Sequence, residues 1–128
     1  MKKQLAHVEL FHDTFGIPNE HSPVSTISNE IIDLRYRLMA EENLEYLEAA
    51  KGNDLIEVAD ALGDMLYILC GTILSHGMQH KIEEVFDEIQ RSNMSKLGED
   101  GKPIYRDDRK VLKGPNYFKP NIKGILEE

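Results

Sequence analysis

The stretch MAEENLEYLEAAKGNDLIEVADALGDMLY, residues 39–67, decides the fold. It carries two carboxylate clusters, Glu41-Glu42-Asn43-Leu44-Glu45 and Glu57-Val58-Ala59-Asp60, with Asp64 one turn further on. Upstream, Ile31, Leu34 and Leu38 recur at helical spacing. At roughly 100° per residue Glu42 and Glu45 continue that stripe, and Ala49 closes it. Only Gly52-Asn53 separates this helix from the next, so the two are expected to form an antiparallel hairpin that turns the acidic clusters toward each other. Carboxylates gathered away from water repel one another and take up protons unless cations neutralise them. A divalent metal site is the simplest resolution.

Residues three apart on a helix project side by side, so Glu42 with Glu45, and Glu57 with Asp60, each make a two-carboxylate claw. All-oxygen ligation suits Mg²⁺ or Mn²⁺, and Mg²⁺ commonly bridges to substrate phosphates. A di-iron bundle would need Glu-x-x-His pairs, and neither cluster has a histidine three residues on. His7, His12, His21, His76 and His80 are assigned to surface or loop. Two alternatives stand for Glu57, because Asp54-Leu55-Ile56-Glu57 also matches a capping box. Asp60 and Asp64 lie one and two turns inside the helix, where Asp is a poor helix former.

Working outward, four helices are predicted. The first spans about residues 3–15, with Leu5, Val8, Phe11 or His12 and Phe15 on one face, and stops at Gly16. The second begins within Ser25-Thr26-Ile27-Ser28, any hydroxyl of which can cap it, and ends at Lys51-Gly52 with Gly52 as the left-handed stop. The third runs over about 54–76, its main apolar stripe being Leu55, Val58, Ala59, Leu62, Leu66, Leu69 and Ile73. Between Met65 and Leu74 it is apolar on nearly all sides and must be covered all round; four short helices cover it poorly, so a dimer is expected. The fourth starts near Gln79 and turns Ile82, Val85, Phe86 and Ile89 inward. Beyond residue 98 come a turn, a short hairpin or extended arm over 104–112, and prolines that rule out another long helix. The expectation is one all-α domain over residues 1–128: a four-helix bundle with its helical core at about 3–97 and a basic C-terminal arm at about 98–128, built up by dimerisation.

Composition narrows the function classes. The 128 residues are 41% hydrophobic and 30% charged, ordinary for a globular chain. The net charge of −8 hides a split: residues 1–90 carry 6 Lys/Arg against 17 Asp/Glu, and residues 91–123 carry 9 against 4. An acidic body repels a long polyanion, so no nucleic-acid polymer is expected as partner. A small, highly charged anion held through metals suits both halves. The apolar run around Met65–Leu74 is short for a membrane span, so no membrane partner is expected. The amphipathic N-terminus does not read as a secretory signal. With the single cysteine, Cys70, taken as buried filling, the expected location is the cytoplasm.

These residues resemble the all-α nucleoside triphosphate pyrophosphohydrolases, a group that includes MazG-like proteins, dimeric dUTPases and phosphoribosyl-ATP pyrophosphohydrolase. The family pattern, Glu-Glu-x-x-Glu followed at a distance by Glu-x-x-Asp, stands here as Glu41–Glu45 and Glu57–Asp60. Asp60-Ala61-Leu62-Gly63-Asp64-Met65-Leu66-Tyr67 is similar to the family's third-helix segment. The tail from Ser92-Asn93-Met94-Ser95-Lys96 to Gly114-Pro115 is similar to a subgroup labelled phosphoribosyl-ATP pyrophosphohydrolase-like.

The resemblance implies Mg²⁺-dependent hydrolysis of a (deoxy)nucleoside triphosphate to monophosphate and pyrophosphate, in nucleotide-pool house-cleaning of dUTP or a non-standard nucleotide. It implies metal ligation by Glu42, Glu45, Glu57 and Asp60, with Asp64 as a further ligand or support, and catalytic roles for Glu41 and Glu42. Asn93, Lys96, Lys102, Arg106, Lys110, Lys113 and Tyr67 become substrate-contact candidates, and a homodimer or dimer of dimers the expected assembly. Two rivals remain: phosphoribosyl-ATP hydrolysis in histidine biosynthesis at the same site, and a non-catalytic helical dimer acting as a binding module.

Overall fold

Sequence chemistry places the helix ends. In the computed structural model, which describes residues 1–128, α1 spans Lys2–Phe15, α2 Asn29–Lys51, α3 Leu55–Ser75 and α4 Ile82–Met94. They are followed by β1 Ile104–Tyr105, β2 Val111–Leu112 and the short α5 Ile122–Leu126. Ser28 is the member of the hydroxyl cluster that caps α2, accepting from the Ile31 N–H. Gly77 ends α3 in the left-handed conformation (φ 66°). Its N–H reaches the Leu74 carbonyl and the Met78 N–H the Ile73 carbonyl, the paired bonds of a Schellman turn.

The α2–α3 hairpin forms as expected, with one correction inside it. Gly52 keeps a negative φ of −83°, and Asn53 takes the left-handed position at φ 56°. Asn53 N–H donates to the Ala50 carbonyl and Asp54 N–H to the Ala49 carbonyl, so the same turn is built one residue later. Asn tolerates this conformation better than other side-chain-bearing residues, which is why the turn can sit there.

Contacts divide the chain into two compact units, Met1–His80 and Lys81–Glu128. In the first, α3 packs against both α1 and α2. Its core is Leu5, Val8, Ala61, Cys70, Ile73 and Leu74, with Cys70 the buried filling expected. By length and composition α3 is a helix that could cross a membrane, a measure that Met65–Leu74 alone did not meet.

Three packing expectations are overturned. The leucines of the α3 stripe do not form the inner face: Leu55 is 81% exposed and Leu62, Leu66 and Leu69 are also exposed. Of that stripe Ile73 is buried; the other buried residues of α3 are Leu74 and the small Ala61, Cys70, Gly71 and Ser75, small residues letting a neighbouring helix come close. On α1, where Leu5, Val8, Phe11 or His12 and Phe15 were the expected inner face, Leu5, Val8 and His12 are buried, so His12 is not one of the surface or loop histidines, while Phe11 and Phe15 are exposed. Arg35, which interrupts the apolar pattern of α2, is that helix's buried residue, while Leu34 is exposed.

The second unit holds α4, the antiparallel hairpin β1–β2, which pairs Ile104 with Leu112 and Tyr105 with Val111, and α5. Helix α4 starts at Ile82, later than expected, and Phe86 and Ile89 are exposed on it, not turned inward. The arm is tied back: Ser92 Oγ donates to the Phe118 carbonyl, Phe118 N–H donates to Ser95 Oγ, and the Arg91 guanidinium lies 4.5 Å from the Phe118 ring centre.

Candidate metal and nucleotide site

The antiparallel hairpin sets Glu42 and Glu45 of α2 against Asp64 of α3, with one carboxylate oxygen from each lying within 4.8 Å of the other two. Asp60, one turn before Asp64, adds its negative charge to both Glu42 and Asp64. Glu42 Oε2 is buried and has no hydrogen-bond partner. A buried carboxylate oxygen left unpaired is costly.

The electrostatics follow. Loss of water around Glu42, then the adjoining Glu45 carboxylate and the charges of Asp64 and Asp60, push its carboxyl up to about 7. Asp64 is raised too, first by desolvation and then by Asp60 and Glu45. Each shift says the same thing: the site resists holding its negative charges unaided. The donors are all hard oxygens, and an orphaned buried oxygen points among them, so the residues present fit a Mg²⁺ or Mn²⁺ ion.

Glu57 sits apart from that trio, on the wall of a cleft of about 550 Å³ lined also by Glu45, Glu48, Asp54 and Asp60. Its capping alternative is half realised. Asp54 Oδ1 accepts from the Glu57 N–H at 3.1 Å, but the Asp54 N–H is already taken by Ala49, so the Glu57 carboxylate is not needed for the cap. Glu48 reads in sequence as a solvated acid, and its place on the cleft was signalled only by its position three residues after Glu45. Glu41 is exposed at the edge of the cluster's helix face.

Tyr67, three residues beyond Asp64, meets Phe11 edge-on at 5.7 Å. In the second unit, Asn93 and Lys96 line a cavity of about 360 Å³ with Met94, Leu97, Pro103 and Val111. Arg106 is engaged in an ion pair with Asp108, and the Lys113 ammonium lies 4.8 Å from the Tyr117 ring centre. Lys102 and Lys110 are exposed.

The architecture is shared with solved structures. The crystal structure of a candidate NTP pyrophosphohydrolase from Exiguobacterium sp. 255-15 superposes with a TM-score of 0.51 and 24% identity, covering 97% of this chain and 94% of that one. No curated protein matches the chain. Residues 8–93 match the model of the phosphoribosyl-ATP pyrophosphohydrolase family, and the chain belongs to that family, within the MazG-like pyrophosphohydrolases. Its membership makes it a pyrophosphohydrolase at that coarse level.

Proposed function

We propose that the protein hydrolyses a (deoxy)nucleoside triphosphate between the α and β phosphorus atoms, releasing the monophosphate and pyrophosphate and clearing dUTP or a non-standard nucleotide from the pool. One observation carries this reading: carboxylate oxygens of Glu42, Glu45 and Asp64 lie within 4.8 Å of one another, and Glu42 Oε2 is buried without a hydrogen-bond partner, in a chain of this family.

Glu42, Glu45 and Asp64, with Asp60 beside them, would hold Mg²⁺ or Mn²⁺, and Glu57 borders the same cleft. When bound, the metal neutralises phosphate charge and makes a water more acidic. Glu41, exposed next to Glu42, orients the attacking water and takes up its proton. Tyr67 offers a ring face to the nucleoside. Asn93, Lys96, Lys102, Arg106, Lys110 and Lys113, the other substrate-contact candidates, belong to the second unit, where Arg106 is paired with Asp108. The working form is a homodimer or dimer of dimers that covers the exposed leucines of α3.

Phosphoribosyl-ATP is the second reading, favoured by the family description that the chain matches. A panel of dUTP, dCTP, dATP and phosphoribosyl-ATP with pyrophosphate as readout separates the two. On either reading, Glu45→Gln and Asp60→Asn should cut Mg²⁺-dependent pyrophosphate release by at least about 10²-fold with the helical circular dichroism unchanged. Near-normal turnover by either folded variant would sink the assignment.

A further inference from the structure

Helix α2 buries a cation where its sequence pattern calls for an apolar side chain. Arg35 is 5% exposed and has no carboxylate partner. Its Nε donates to Thr72 Oγ1 at 3.1 Å and its Nη2 to the Ile68 carbonyl at 2.8 Å. Thr72 Oγ1 in turn donates to that same carbonyl, so three polar groups of two helices are tied into one knot.

The surroundings are shaped to admit it. A Cβ on Gly71 would stand 2.4 Å from Arg35 Nη2 and 3.0 Å from His12 Nε2, so any larger residue there would displace the guanidinium. Asn19 Nδ2 donates to Asp13 Oδ1, and Asn19 Oδ1 lies 2.6 Å from His12 Nδ1. The amide therefore presents its oxygen to the ring, and Nδ1 is the donor of that bond.

A buried, unpaired cation is poor for stability. Replacing such a group by an apolar one of similar volume is often neutral or stabilising. What Arg35 supplies is register. It is the one buried residue of α2, and it meets α3 at Ile68, Gly71 and Thr72, so its directional hydrogen bonds add to apolar packing a constraint on how α2 slides along α3. Glu42 lies seven residues after Arg35, nearly two turns and about 10 Å along the same helix face. Ile68 and Thr72 lie four and eight residues after Asp64. A slip of one residue would shift the carboxylates by about 1.5 Å and turn them by roughly 100°, enough to break their convergence.

We infer that Arg35 is a positioning residue: through Ile68 and Thr72 it locks α2 to α3 in the register that brings Glu42, Glu45 and Asp64 together to hold a divalent cation. The inference rests on the metal-site reading above.

Calorimetric titration with Mn²⁺, read beside thermal melting and pyrophosphate release, tests it. Arg35→Met should melt at or above the wild-type temperature, bind Mn²⁺ roughly 10–100-fold more weakly, and lose kcat more than it gains KM. Arg35→Lys, keeping the charge but unable to bridge both acceptors, should fall between. Thr72→Val, which removes one acceptor only, should weaken Mn²⁺ binding in the same direction by less. A folded Arg35→Met with wild-type Mn²⁺ affinity overturns the inference; should that variant fail to fold, wild-type affinity in folded Thr72→Val does so. Wild-type protein that binds Mn²⁺ yet releases no pyrophosphate from any nucleotide overturns the activity reading alone, leaving the affinities to judge Arg35.

Discussion

Glu42 carries the tension of the site in one side chain. Its carboxyl is raised from 4.5 to about 7, so between those values the folded chain binds a proton that the unfolded chain has released. Stability from this group is therefore present in acid and declines as pH rises through that window. Without divalent cation, the melting temperature should fall between pH 5 and pH 8. Adding Mg²⁺ should raise it more at pH 8 than at pH 5, since the ion replaces the missing protons. An equal Mg²⁺ effect at both values would contradict the site. At this scale the acids were legible, because carboxylates continuing an apolar stripe demand a cause. The rank of Asp64 over Glu57 was not: which of three acids on α3 reaches α2 depends on how that helix is rotated. Arg35 was missed, and the choice of His12 over Phe11 left open, for a related reason: a single polar residue among apolar ones ordinarily marks solvent, and only the packed neighbours reveal its partners.

Helix ends are local chemistry, and the pattern read them to within a few residues. Asp54 holds the start of α3 by accepting from the Glu57 N–H. Asp54→Ala should cost about 1 kcal/mol of stability, measured by urea denaturation, and should loosen the cleft wall next to it. Asn53→Gly should be tolerated or mildly stabilising, because the position already has a positive φ that glycine adopts freely. The inner face of α3 was read less well. Four of its leucines fall on one stripe, and periodicity alone assigns the bulkier stripe to the core. In the protomer Ala61, Cys70, Gly71, Ile73, Leu74 and Ser75 are the buried residues of α3, and Leu55, Leu62, Leu66 and Leu69 face out.

Those leucines frame the question at the scale of the molecule. Leu55, Leu62, Leu66 and Leu69 share one face of α3 and are all at least 42% exposed, an apolar strip of the kind that marks a protein interface. On the proposed homodimer, Leu62→Glu combined with Leu66→Lys should shift sedimentation from dimer to monomer while helicity persists; a wild-type chain that sediments as a monomer would refute the dimer directly.

What the sequence determined by itself was everything set by neighbours along the chain: the helical spans, the caps, the short hairpin linking α2 to α3, and the pairing of carboxylates three residues apart. Tertiary structure alone decided which acids converge, that Arg35 and His12 are interior, and that the leucines of α3 are left uncovered. The reason is physical. Local hydrogen bonding fixes where a helix begins and ends, but its rotation and slide against another helix are settled by contacts between residues distant in sequence, and those contacts give the acidic site its shape.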